Sequence, residues 1–187
     1  MHVQASTRLA DQIIFDLARR QNGVVARWQL LPLGNTREQI AVRLEAGRLA
    51  ELHRGVYLVG AVPSEHALSQ AALLAFREGA VLSHFSAARL WSLLDHPQTA
   101  HPWVTLPTAR RSARPRIETR CADLKPVDVR RRHSMPLTSP PRTVLDCASV
   151  MEDPYGTGRQ IRDDRNGMTR RLRGVLALRG DRLEPST

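Results

Sequence analysis

The strongest constraint on this chain is a series of breakers that cut the stretch 1–62 into short pieces. Asn22-Gly23 stops an amphipathic run over 7–20. There Leu9, Ile13 and Leu17 recur every four residues, and Ala10, Ile14 and Ala18 widen the stripe. A short extended Val24-Val25 comes next. A second helical piece over 26–31, with Trp28 and Leu31 three apart, ends at Pro32 and Gly34. Thr36-Arg-Glu-Gln39 has the spacing of a capping box, a hydroxyl for the N3 amide and a carboxamide that reaches back. It opens a third helix, buried through Ile40 and Leu44 and broken by Gly47. Leu49-Ala-Glu-Leu52 and Val56-Tyr-Leu-Val59 read as strands, joined by the tight turn His53-Arg54-Gly55. Helix, strand, helix, turn, helix, two-stranded ribbon is the order of a winged helix-turn-helix.

Beyond residue 62 the pattern alternates. It predicts a helix from Pro63 to about Glu78, an extended run over Gly79–Leu82, a helix over Ser83–Leu94 and a strand over Trp103–Leu106. Ile117–Cys121 and Val127–Arg131 are weaker strand candidates, and a helix starts at Ser139 with prolines in its first turn. The predicted fold is α+β: an N-terminal winged helix-turn-helix (1–62) followed by a small mixed α/β domain (63–150). Residues 151–187 hold five glycines, eight arginines and one short apolar cluster, Val175-Leu-Ala-Leu178. They read as a poorly packed tail with one helix at most, between Met168 and Leu178.

Composition excludes several classes. The longest stretch without a charged residue, His96–Ala109, holds three prolines and is too short and too broken to span a membrane. The N-terminus has no basic segment leading into an apolar run, so the expected location is the cytoplasm. Cys121 and Cys147 have no Cys-x-x-Cys context and are expected to be reduced thiols, with no metal and no cofactor. The net charge is +10, and Lys125 is the one lysine among 28 basic residues. Arginine suits phosphate and guanine edges. Genome composition also produces such a bias, so location says more than number. Residues 79–150 carry +6 and each flank carries +2. The densest part, Arg110 to Arg142, has ten basic and three acidic residues.

Leu17-Ala-Arg-Arg-Gln-Asn-Gly-Val-Val-Ala-Arg-Trp-Gln-Leu-Leu and Arg48-Leu-Ala-Glu-Leu-His-Arg-Gly-Val-Tyr-Leu-Val-Gly resemble the N-terminal domain of AbiEi-type antitoxins, the transcriptional regulators of type IV toxin–antitoxin systems. Val81-Leu-Ser-His-Phe-Ser-Ala-Ala-Arg-Leu-Trp-Ser-Leu and Pro136-Leu-Thr-Ser-Pro-Pro-Arg-Thr-Val-Leu-Asp-Cys-Ala resemble the second domain of such proteins. The likeness spans roughly residues 8–150 and rests on four motifs in order. It implies a winged helix that binds double-stranded DNA at its own promoter and represses its operon. It also implies a second domain that counteracts a nucleotidyltransferase-like toxin. Many relatives continue into a restriction-endonuclease-like domain, and residues 151–187 depart from that pattern.

In a winged helix the third helix enters the major groove and the ribbon meets the backbone. With Ile40 and Leu44 inward, Glu38, Gln39, Val42, Glu45 and Ala46 face out, and Arg37 and Arg43 lie on the flanks. Gln39 suits adenine, and Arg37 or Arg43 suits guanine or phosphate. The carboxylates of Glu38 and Glu45 oppose phosphate, which weakens this reader. Arg48, His53 and Arg54 are placed for backbone contact. Arg110, Arg111, Arg114, Arg116, Arg130, Arg131 and Arg132 form a second candidate basic surface, suited equally to phosphate, an acidic protein or plain solvation.

No catalytic residue is assigned. Ser83-His84, Ser86 and a distant Asp95 or Asp146 have no triad spacing. Asp123-Leu-Lys125 lacks a nearby upstream carboxylate, and Gly156-Thr-Gly158 lacks a phosphate-loop setting. Trp28, Trp91 and Trp103 read as core or interface residues. Two alternatives stay open: a protein-interaction antitoxin module that binds DNA weakly, or a truncated relative of winged-helix proteins with a nuclease domain.

Overall fold

The structure, a computed structural model, describes residues 2–94, 101–109 and 112–151. The N-terminal part obeys the breaker pattern. Helix α1 (His2–Arg20) leads into strand β1 (Val24–Ala26), the single turn α2 (Arg27–Leu30), helix α3 (Arg37–Glu45) and the hairpin β2 (Leu49–His53) and β3 (Val56–Val59). The three strands form an antiparallel sheet in the order β1-β3-β2, with Val24 opposite Leu58 and Glu51 opposite Tyr57.

Local chemistry sets these boundaries. The Thr36 hydroxyl accepts from the Gln39 N–H at 3.2 Å, and Gln39 Oε1 accepts from the Thr36 N–H at 3.0 Å, closing the expected capping box. At the other end of α3, the Gly47 N–H reaches the Leu44 carbonyl at 3.0 Å and the Arg48 N–H reaches that of Arg43 at 2.9 Å. Gly47 adopts φ +67, which a side chain would strain, so the helix ends here and the chain turns into β2.

Two details differ from the periodic reading. On α1 the buried line is Ile14 and Ala18, flanked by Ile13 and Leu17, while Leu9 is 64% exposed. In the α2 region, Leu30 rather than Leu31 enters the core. Trp28 points the other way, into contact with the second domain.

The second part is a five-stranded mixed sheet with helices on both faces. Its elements are α4 (Ala67–Phe76), β4 (Val81–Leu82), α5 (His84–Leu90), β5 (Trp103–Leu106), β6 (Glu118–Cys121), β7 (Val129–Arg132), β8 (Met135–Thr138) and α6 (Pro140–Met151). The strand order is β6-β5-β4-β8-β7. β4 lies parallel to β8 and β5 parallel to β6, while β4–β5 and β7–β8 are antiparallel. Val104, Leu106, Met135 and Leu137 join the α4 core, and Trp103 packs with Phe85, Ala88 and Cys147 beneath α5 and α6. Strand β8 is not legible in the sequence because Pro136 sits in its middle, a residue that argues against an interior strand. The expected tail at 151–187 lies outside the described residues, apart from Met151 closing α6.

The two parts share one hydrophobic core. On β3, Val56 and Leu58 join Val24 and Ala26 against the Ala67, Ala71 and Leu74 side of α4. Tyr57 between them faces Ile14, Ile40 and Leu49 in the winged-helix core. Polar contacts reinforce the joint. Trp28 Nε1 donates to the Leu74 carbonyl at 3.2 Å, Asn22 Nδ2 to Gln70 Oε1 at 3.2 Å, and Ser64 Oγ to the Asn22 carbonyl at 2.7 Å.

Two outcomes are expected. The full chain should unfold in one cooperative transition, whereas a 1–62 fragment exposes Val24, Val56 and Leu58 and should not fold alone; calorimetry that resolves two separate transitions would contradict the shared core. The second concerns pH. His84 is buried against Trp103, ring centroids 4.8 Å apart, and burial, with Arg120 and Arg142 nearby, pulls its imidazole down to about 4. Its folded value lies below the unfolded one. Stability is therefore complete above about pH 6.5 and declines as pH falls toward 4, by about 3 kcal/mol. His53 and His66, lowered mainly by burial, act in the same direction. Urea unfolding at pH 7 and pH 4.5 should show the loss, and His84→Gln should remove most of it.

Candidate nucleic-acid interface

Helix α3 presents Arg37, Glu38, Gln39, Ala41, Val42 and Glu45 to solvent, with Ile40 2% exposed on the inner side. The Glu38 carboxyl is held below its usual range by backbone hydrogen bonding first and then by the Thr36 hydroxyl, so it is charged at neutral pH. Gln39 is exposed, but its carbonyl oxygen is engaged in the capping box. Arg37 is exposed as expected.

Arg43 is not on the flank of this face. Its side chain is 7% exposed and packs inward. The guanidinium contacts Asp11 Oδ1 at 2.8 Å through both Nε and Nη2, and Nη1 donates to the Gln39 carbonyl at 3.0 Å. An arginine one turn after Gln39 and next to the Ile40–Leu44 line falls over α1, where it meets Asp11. Nothing local in the sequence marks that pair, because its partners belong to different helices far apart along the chain. With Arg43 inside, the outward face of α3 has one cation and two carboxylates. Arg48 is 65% exposed and reaches the same Asp11 at 3.4 Å.

The wing places its charge differently. Arg54 and Gly55 form the turn, and Arg54 is exposed. Gly55 has φ +75, and a Cβ there would stand 3.5 Å from the Arg27 guanidinium. Its N–H donates to Glu51 Oε1 at 2.8 Å, and its carbonyl accepts from the Arg27 N–H at 2.8 Å. The tip is thus tied to β2 and to the start of α2. His53 is half-buried. Burial first, then Arg114 and Arg116, lowers its imidazole, so at neutral pH it is a neutral group rather than a cationic phosphate contact.

The second set of arginines is not one surface. Arg110 and Arg111 lie outside the described residues. Arg114 and Arg116 precede β6, and their charges reach His53 at the wing. Arg130, Arg131 and Arg132 belong to β7 at the opposite edge of the sheet. There Arg130 donates to the carbonyls of Val127 and Val129, Arg131 donates to that of Ser134, and Arg132 lies 5.5 Å over Trp91. Charge on an edge strand also discourages pairing with another sheet.

Sequence reading misses the convergence of Arg27 and Arg77 on the wing. Arg54, Arg27, Arg77 and Arg114 line one cleft of about 290 Å³ with Trp28 in its wall. Arg77 takes φ +61, which no local pattern announces. Ser83 Oγ lies 2.9 Å from His84 Nδ1, Ser86 Oγ accepts from the Trp103 N–H, and Asp146 pairs with Arg142 at 2.7 Å. Among the described residues no three His, Cys, Asp or Glu groups assemble a metal site, and no helix is long and apolar enough to cross a membrane.

Residues 12–60 match the family described as transcriptional regulator, AbiEi antitoxin. That span begins within α1 and runs to the end of the wing. A comparison with curated proteins found no match. Among solved structures, the chain is similar to the Rv2827c protein from Mycobacterium tuberculosis, with 17% identity and a TM-score of 0.51, over 88% of this chain and 71% of that one. At this identity the likeness is one of fold.

Arg43→Ala and Arg54→Ala should therefore behave differently. Loss of the buried guanidinium leaves Asp11 with the longer Arg48 contact and takes one donor from the Gln39 carbonyl. It should cost about 2 kcal/mol, lowering Tm by about 4–8 °C. Arg54→Ala, at an exposed turn, should leave Tm within a degree or two. Thermal unfolding of the two variants side by side checks the assignment.

Proposed function

We propose, on the premise that residues 12–60 hold the winged helix of AbiEi-type antitoxin regulators, that this chain is a non-catalytic, cytoplasmic regulator. It binds double-stranded DNA at its own promoter and represses its operon. The observation that carries the reading is the exposed Arg54 at a wing tip fixed on both sides, in a domain matched to a family of transcriptional regulators. A rigid tip presents its guanidinium to a phosphate with little ordering cost. Arg37 at the start of α3 and Arg48 just before β2 complete the proposed contact set, with the amide NH₂ of Gln39 toward a base edge. Arg43 and the neutral His53 are left out of it. Phosphate contacts position the protein, while Gln39 and Val42 are the groups suited to adenine and to a thymine methyl.

A second reading has its own observation. The outward face of α3 is net acidic, with Val42 61% exposed. Such a face suits a protein partner better than a phosphate-lined groove. In this reading the chain counteracts a nucleotidyltransferase-like toxin by direct binding and holds DNA only weakly.

The test is a mobility shift with the chain's own upstream duplex across a salt series. Regulation by DNA binding predicts retention at low salt and a steep fall with added salt, by about 0.9 in log K per log salt for each phosphate contact. Arg54→Ala should weaken retention at least fivefold. No shift even at low salt, together with co-purification of the neighbouring gene's product, selects the second reading.

A further inference from the structure

We infer that the cleft between the wing and α4 is a phosphate-binding site built jointly by the two halves of the molecule. Arg27 and Arg54 enter it from the winged helix, Arg77 and Arg114 from the second domain, and among the described residues no carboxylate lines it. Glu51 accepts from the Gly55 N–H at the wing tip, and Glu78 follows Arg77 in the chain. Several other described arginines find carboxylates: Arg43 and Arg48 use Asp11, Arg89 uses Glu65, and Arg142 uses Asp128 and Asp146. None of the four cleft guanidinium groups makes such a pair among the described residues. Two of them rest on rings, Arg77 at 5.8 Å from Trp28 and Arg114 at 5.8 Å from Phe76.

Two further features make the cleft costly as it stands. Arg114 Nε is buried with no hydrogen-bond partner among the described residues. Arg77 ends α4 at φ 61 and ψ −123, a backbone region that glycine visits freely and arginine does not. Four like charges around one void and an orphaned donor match a polyanion with several acceptor oxygens. Guanidinium groups bind phosphate through paired N–H donors, which matches this lining. The cleft is at the small end of ligand sites, roughly 300–1,000 Å³, and exceeds what one inorganic phosphate fills.

The phosphates have two sources. They belong to a free compound of the nucleotide or pyrophosphate class, or to the backbone of a duplex lying against the wing. The duplex source rests on the regulatory reading above, and the free source does not. Because Arg54 serves both cleft and wing, a free polyphosphate would compete with DNA.

The experiment uses the full chain with Arg77→Gly and Arg114→Gln. Glycine at 77 suits the backbone, so that variant should melt no lower than the parent, which separates lost binding from lost folding. In the first arm, calorimetric titration with inorganic pyrophosphate and with ATP should show binding that each variant weakens tenfold or more. In the second arm, the salt slope of duplex binding should drop by about one in each variant. Either result supports the site and names its source. Binding and salt slope unchanged in both variants, or no free-phosphate binding together with an unchanged slope, overturns it. Failure of the regulatory reading is seen separately, as a parent chain that retains no duplex at low salt; the pyrophosphate arm then decides alone.

Discussion

The structure depends on burying both faces of a three-stranded sheet. A winged helix alone covers one face, with Ile14, Leu30 and Ile40 packed against Tyr57 and Leu49. Here the other face carries Val24, Ala26, Val56 and Leu58, each at most 5% exposed, against α4. Alternation along β3 makes this possible, since successive side chains point to opposite sides. Each fully buried Val or Leu contributes roughly 1.5–3 kcal/mol. The second domain therefore contributes directly to the stability of the first.

That joint also decides which charges are free to act. The wing hairpin is fastened at Gly55 to Glu51 and Arg27, and α4 supports its back. Arg54 remains outside and Arg27 flanks it, while His53 is half-buried, beside Arg114 and Arg116, where it stays neutral. Asp11 draws Arg43 and Arg48 to α1. The outward face of α3 is left with little positive charge, and cationic density collects at the seam between the domains. Among the described residues, this distribution fits the wing and its seam to anions better than α3.

Much of the architecture is readable from spacing. The capping box at Thr36, the breaks at Gly23 and Gly47 and the turn at Gly55 are local events. Each involves residues within a few positions of one another, so the sequence reports them faithfully. The strand at Trp103–Leu106 comes from alternation. The features that spacing misses are non-local. Strand β8 is stabilised by neighbours on both sides despite Pro136. Leu30 replaces Leu31 in the core because Trp28 faces α4. The arginines at 114–116 and 130–132 look like one basic stretch, yet they stand at opposite edges of a sheet whose strand order is not their sequence order.

By itself the sequence determined the winged helix-turn-helix, the α+β character of the remainder and the excess of arginine, since turns, caps and apolar periods are encoded within a few residues. Tertiary structure alone decided which arginines are paired, which are exposed and which converge. Ion pairs such as Arg43–Asp11 and the cluster of Arg27, Arg54, Arg77 and Arg114 join residues tens of positions apart, and only the packing of the helices on the wing sheet brings them within reach of one another.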